Sequence, residues 1–292
     1  MPDSAPLVVI GIPTYNRPEL LRRALACATR QTYPNLRVVV SDNATPGHAV
    51  ADLVEGFRAR FSHIDYVRQP HNIGPHGNFF FLLRAAESRY FMWLADDDEV
   101  SDDYVESLVA MLEADPAAVS AAGTWYLLQS ETTGTPMRSP DLSSPNRLVR
   151  AAKFLWRGDD AFFYGLHRTD VLRQASFAGY AWPNRDSVMN WAYVFLLDMV
   201  LRGKVLQHPN PQVRFINHDY TAKTYSVGGR RLAGLLKVML RRINVHWLYL
   251  RKAAAMCGPL FSIPLAAVSI ASLLREAARS VAVRLAARLR LS

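Results

Sequence analysis

Only two cysteines occur in the 292 residues, Cys27 and Cys257, and they form no CxxC pair. That excludes a disulfide framework and a cysteine zinc site, and it favours a reducing compartment. The turn after the first apolar run, GIPTYNRP (11–18), carries neither the glycine fingerprint of dinucleotide binders nor a Walker lysine. Neither a Rossmann oxidoreductase nor a P-loop kinase is therefore indicated. The opening MPDSAP has no basic or apolar leader character, so the expected location is the cytoplasm. Acid is nearly missing from one end. Residues 230–292 hold 12 Lys/Arg and a single acid, Glu276, a net +11. The remainder has 22 basic and 24 acidic residues, a net −2, so the overall +9 belongs to the tail. A nucleic-acid-binding fold is not implied; the charge concerns what the tail touches.

What is present begins with alternation of strand and helix over the first 127 residues. Apolar runs at LVVIGIP (7–13), LRVVVSD (36–42), HIDYV (63–67) and YFMWLA (90–95) predict four buried strands. Helical stretches are expected over 18–31, 49–60 and 76–88, with a further helix at 102–113 and a strand at 117–127. Such a series predicts an α/β fold with a mostly parallel sheet flanked by helices. Ligands of such sheets bind beyond the carboxyl ends of the strands. There stand Thr14, Tyr15 and Asn16, then Asp42 and Asn43, then Asp96, Asp97 and Asp98. The stretch 130–146 is rich in Ser, Thr and Pro and reads as a loop, followed by a helix at 185–202 and a strand at 212–216.

Three adjacent carboxylates directly after an apolar strand repel one another unless a cation neutralises them. Oxygen-only donors suit Mg²⁺ or Mn²⁺, which keep coordination positions for substrate phosphates. The competing reading is a set of solvated acids at a helix N-terminus, which fits Asp102 and Asp103 better. Tyr15 could stack on a base and Asp42 could accept from a base N–H or a ribose hydroxyl, or either could be an ordinary turn residue.

The series IPTYNRPELLRRAL, QTYPNLRVVVSDNAT, NIGPHGN and YFMWLADDDEVSDDYV resembles glycosyltransferase family 2 in order and spacing. The resemblance covers about residues 7–227. It implies a GT-A fold, a nucleoside-diphosphate sugar donor such as a UDP-sugar, Mg²⁺ or Mn²⁺, and inversion at the anomeric carbon. Carried onto matching positions, it places the nucleoside against Pro13, Tyr15 and Asp42, beside the loop around Asn72, Gly74 and Asn78. Asp96 and Asp97 face the donor, and the metal falls to Asp98 and Asp96. Many members read Asp-x-Asp-Asp here, whereas Ala95 holds the first place, so metal ligation rests on the later acids with Asp98 first. The family's acceptor base maps to Asp186 in WPNRDSVMNW, and a histidine supplied to metal or diphosphate maps to His218. Lys223 is a weaker candidate for neutralising the diphosphate. FFYGLHR (162–168) resembles the acceptor side, where Phe163, Tyr164 and Trp182 could stack on sugar or simply form aromatic core.

The expected domains are a catalytic part over 1–229, with a nucleotide-sugar half at about 1–127 and an acceptor half at about 146–229, and a helical tail over 230–292. From Ala253 to Leu274 the tail runs 22 residues without a charge, broken by Gly258, Pro259 and Pro264 and flanked on both sides by arginines. Symmetric basic flanks fit an interfacial or re-entrant hairpin better than a simple span. Basic amphipathic segments at 230–252 and 265–291 suit an anionic membrane on its cytoplasmic face, or else packing on the catalytic part or in an oligomer. A saccharide or lipid-linked saccharide acceptor, as in cell-surface polysaccharide or glycolipid assembly, would make sense of that tail. The alternatives are a non-catalytic membrane-associated nucleotide-sugar-binding protein and a sugar-phosphate nucleotidylyltransferase. The latter should carry a glycine-rich basic loop after strand one, which GIPTYNRP is not.

Overall fold

The computed structural model describes residues 5–128, 134–137, 139–175, 188–216 and 232–289. β1 (Val8–Thr14), β2 (Leu36–Asp42), β3 (Ile64–Arg68) and β4 (Tyr90–Trp93) form a parallel sheet in the order β3-β2-β1-β4. Every residue of β1 and β4 is buried, as strands covered on both faces require. The crossovers are α1 (Pro18–Thr29), α2 (Ala49–Arg58) and α3 (Gly74–Ala85). Pro18 opens α1, where its missing N–H costs nothing. A side chain at Gly11 would meet the Phe91 ring at 3.0 Å and Leu82 Cβ at 3.1 Å, so this glycine lets α3 close against the sheet.

Beyond β4 the sheet changes character. It continues through β8 (Leu166–Arg168), β6 (Ala118–Leu128), β9 (Lys204–Ile216) and β5 (Asp98–Val100), with β7 (Gly134–Met137) paired on β6. β8 is antiparallel to both its neighbours, β5 is antiparallel to β9, and β6 and β9 run parallel. The three-residue strands are too short for a period-2 pattern to register. β7 lies inside the stretch expected to be loop, and its pairing with β6 supplies the order that its composition does not predict. β9 begins eight residues before the expected 212, because Lys204–Gln207 pairs with the start of β6. Between the paired stretches lie Pro209 and Pro211, which lack an N–H, and there the register with β6 shifts.

The chain divides into two compact units. One holds the whole sheet with α1–α3, α4 (Tyr104–Ala114) and α6 (Thr169–Gln174). The other is helical: α5 (Arg147–Arg157), α7 (Val188–Arg202), α8 (Leu232–Cys257) and α9 (Pro259–Leu289). Within it α5 packs on α7 and α9, α7 on α8, and α8 on α9. Asn146 caps α5, its side chain accepting from the Leu148 and Val149 N–H groups. Asp198 of α7 is 1% exposed and pairs with Lys252 of α8, itself 5% exposed, and with Arg202 one turn along. α8 ends at Gly258, whose φ of +91° suits glycine, and α9 starts at Pro259. Pro264 does not break α9. Near a helix start it removes a single backbone hydrogen bond.

Candidate functional site

The register of the parallel strands decides which polar residues meet. Thr14 lies opposite Asp42, so the ends of β1 and β2 are level, and the chain leaving β4 comes beside them. Leu94 N–H still donates to Gly11 O at 3.1 Å, after which Asp98 N–H closes a turn on Ala95 O at 3.2 Å. That turn delivers Asp96 under β1. Thr14 Oγ1 donates to Asp96 Oδ2 at 2.7 Å, and Arg17 Nη1 reaches both Asp96 Oδ1 at 3.3 Å and Asp97 Oδ2 at 3.2 Å. Asn16, at φ 54°, turns the chain so that Arg17 arrives there.

Asp96 is buried, and its carboxyl is pushed up to about 6. Burial is the main cause and the neighbouring Asp97 charge adds to it, while Thr14 and Arg17 act the other way. One guanidinium thus leaves part of the negative charge uncompensated. By donor chemistry this pair suits a hard divalent cation, the oxygens on Arg17 being those it would take. Asp98 opens β5, where it is buried and its backbone pairs with Phe215. Among the described residues no three His, Cys, Asp or Glu side chains gather as a metal group. His218, Asp186, Lys223 and Trp182 lie outside the described residues.

Asp42 is 1% exposed, and both its oxygens are used within the fold. Oδ1 accepts from Thr45 N–H at 2.9 Å and Oδ2 from the Tyr66 hydroxyl at 2.8 Å. Burial and this bond to Asp42 raise the Tyr66 phenol above its ordinary range, so it stays a donor. Thr45 Oγ1 in turn accepts from Asn16 N–H at 2.8 Å, coupling the loops after β1 and β2. Asp42 thus holds the loop that carries Asn43, Ala44 and Thr45. Asn43 donates to Asn72 Oδ1 at 3.0 Å and accepts from Ile73 N–H at 2.8 Å, bringing the Asn72 loop alongside. Asn78 is buried on Ser41, tying α3 to β2, so it shapes the loop from beneath. Pro13 is buried in β1, whereas Tyr15 is exposed at the rim.

Phe163, considered for a sugar-stacking wall, is buried in the aromatic core. Its ring stacks on Trp93 with centroids 4.4 Å apart and planes at 3°. His167 is buried beside it, bonded to Ser120 and Phe163 O, and burial pushes its imidazole down to about 4. The residue that sequence reasoning left without a role is Arg17. Its signal was a basic residue at the end of GIPTYNRP, facing a run of acids that needs a cation.

The glycosyl transferase family 2 model matches residues 9–175. Among relatives, the succinoglycan biosynthesis protein ExoM of Rhizobium meliloti is 34% identical over 148 residues, 49% of this chain and 47% of that protein. A GalNAc(5)-diNAcBac-PP-undecaprenol beta-1,3-glucosyltransferase of Campylobacter jejuni is 28% identical over 105 residues, 36% of this chain and 34% of that one. The chain therefore spans less than half the length of either relative. Staphylococcus aureus TarS 1-349 in complex with UDP aligns over 85% of this chain and 65% of its own, with TM-score 0.60 and 14% identity. The mannosyltransferase PcManGT of Pyrobaculum calidifontis, in complex with GDP-Man and Mn²⁺, aligns over 100% of this chain and 82% of its own, with TM-score 0.56 and 16% identity. At such identities these structures speak for the fold, which is the mixed α/β GT-A arrangement of curled sheet and flanking helices. With the strand-end acids in place and the family pattern matched across more than half its length, the chain belongs to glycosyl transferase family 2.

Proposed function

We propose that the chain transfers a sugar from a nucleoside-diphosphate sugar to a hydroxyl acceptor, with inversion, in the assembly of a cell-surface polysaccharide or glycolipid. The observation that carries this is the meeting of Thr14, Arg17, Asp96 and Asp97 beyond the carboxyl ends of β1 and β4. A charged, oxygen-rich crevice at that edge is where an α/β sheet takes a nucleotide. The nucleoside lies against Pro13 and Tyr15, on the Asp42-held loop and the Asn72 turn. Thr14 fixes the Asp96 carboxylate, and the half-exposed Arg17 guanidinium is the cation nearest the place for a diphosphate. Mg²⁺ or Mn²⁺, held by Asp96 with Asp98 or His218, would supply charge stabilisation for the departing nucleotide. Asp186, carried over from the family pattern, takes the acceptor proton as its oxygen forms the bond to C1 and the C1–diphosphate bond breaks on the opposite side. The catalytic part is assigned to 1–229 and the helical tail to 230–292, on the cytoplasmic side of a membrane. The relatives' names, a succinoglycan protein and an undecaprenol-linked glucosyltransferase, support an acceptor that is a saccharide or a lipid-linked saccharide.

The test is a panel of uridine and guanosine diphosphate sugars, scored by thermal shift and by donor hydrolysis with and without Mn²⁺. A donor that raises the melting temperature only with Mn²⁺, and is hydrolysed, supports transfer. Stabilisation without turnover on any acceptor indicates a binding protein instead. Undiminished hydrolysis in Asp98→Ala removes Asp98 from the metal set, and full activity in Asp186→Asn removes it as the base.

A further inference from the structure

The polarity of α9 is inverted for a helix in water. Over Pro259–Leu274, its exposed positions are Pro259, Leu260, Ile263, Pro264, Ala267, Ile270, Ala271 and Leu274, all apolar. Its buried positions in the same stretch are Leu265, Ser269 and Ser272. The serine hydroxyls face protein: Ser272 Oγ donates to Trp156 O at 3.3 Å, and Ser269 Oγ has no partner among the described residues. Leu260 is 79% exposed, and only 17% of the helix's most apolar window is buried. Large exposed apolar side chains outside the tail are scattered, whereas here they recur every three or four residues along one face. α8 shows a second such stripe in Met239, Leu240, Ile243 and Trp247, the last 57% exposed.

We infer that these stripes form a monotopic surface that enters one leaflet of an anionic bilayer. Pro259–Arg279 is long and apolar enough to cross a membrane, but its other side is taken. Ser272 and Arg275 both donate to Trp156 O of α5, and Arg275 also lies 4.1 Å over the Trp156 ring. A helix docked along one side offers lipid a single face, which is the geometry of an in-plane helix. The charges choose the lipid. Arg251 on α8 and Arg279 on α9 are exposed in the same two helices, within a segment of net +11, while Arg242 pairs with Glu276. Anionic headgroups meet these cations while acyl chains meet the leucines and isoleucines. A second copy of this chain would bring the same positive charge against itself.

Vesicle flotation of the full chain tests this, using phosphatidylcholine vesicles with and without phosphatidylglycerol. The comparison is with the variant Ile263→Gln, Ile270→Gln, Leu274→Gln, whose substitutions are at exposed helical sites. Wild type should float with the anionic vesicles and much less with the neutral ones. The triple variant should lose on the order of a hundredfold in partitioning while keeping the wild-type melting temperature. Equal flotation of both proteins, or no flotation of wild type, overturns the inference. So does a wild-type dimer that becomes monomeric in the variant without lipid binding, which would make the face an interface between copies. Lipid binding does not depend on the transfer chemistry. Donor hydrolysis in solution should be the same in both proteins, and its absence alongside intact flotation would count against the transfer reading alone.

Discussion

Replacing Asp96 with asparagine should stabilise the protein at neutral pH. The Asp96 carboxyl is pushed up to about 6 from an ordinary 3.8, chiefly by burial and next by the charge of Asp97. A carboxylate raised in the folded state is one that the fold pays to ionise. The stability difference between wild type and variant is therefore absent below about pH 3, where the acid is protonated in both states. It grows as pH rises from about 4, where the unfolded acid ionises, to about 6, where the folded one does, and is level above about pH 7. The rise from 3.8 to about 6 corresponds to a ceiling of roughly 3 kcal/mol. The amide can turn its oxygen to Arg17 and donate to Thr14 Oγ1, so the shape is kept, but the charge-assisted contact with Arg17 is lost. The expected net gain at pH 8 is on the order of 1–2 kcal/mol. Urea unfolding of both proteins between pH 4 and pH 8, with the slope checked for constancy, measures it. An Asp96→Asn protein less stable than wild type at pH 8, or a difference flat with pH, would refute the reasoning. Donor hydrolysis should fall in the same variant, since the destabilised carboxylate is the one assigned to the donor.

Arg17→Gln removes the cation that opposes the Asp96 shift, so the midpoint of the Asp96 titration, followed by carboxyl NMR, should move further above 6; an unchanged midpoint would remove Arg17 from the site's electrostatics. Tyr66→Phe strips the donor from buried Asp42 Oδ2 and should cost roughly 1–3 kcal/mol in urea unfolding, with weaker nucleotide binding because the Asn43 loop loses its support. Asp198→Asn takes the Asp198 charge from buried Lys252 and should cost about 3–5 kcal/mol, much of it recovered in the double variant with Lys252→Met. No loss on the single change would show that Lys252 finds water instead.

The parallel half of the sheet was legible because its strands are continuous apolar runs and its helices are periodic, so the crevice at their ends could be named before any coordinates. The gathering of Thr14, Asp42, Asn43 and the acids after Trp93 on one edge was legible for the same reason, as all stand at strand ends. Their partners were not. Asp42 reads as a ligand-facing acid in sequence, yet only tertiary pairing reveals that Thr45 and Tyr66 take both its oxygens. Arg17 and Asp96 are 79 residues apart, and no local pattern brings them together. Likewise β5 and β8 exist only because a neighbouring strand is there to pair with them. The tail's basic charge could be counted, but its inverted face needed a structure showing which side of α9 the serines occupy.

The electrostatics of the crevice also bear on Ala95, the place where this chain departs from the family's Asp-x-Asp-Asp pattern. Ala95 is buried, and what it contributes to the turn is its backbone: its carbonyl accepts from Asp98 N–H. The turn that delivers Asp96 to Thr14 therefore needs no side chain at 95. A carboxylate there would add a third negative charge beside a pair that already shares one guanidinium, and would push Asp96, already raised by burial and by Asp97, higher still. With alanine at 95, Arg17 alone pairs with both Asp96 and Asp97, and on the proposed reading a cation arriving with the donor's phosphates would have one carboxylate fewer to bind. On the proposed reading, that single residue would give a site whose metal affinity depends more on the nucleotide-sugar and less on the protein alone.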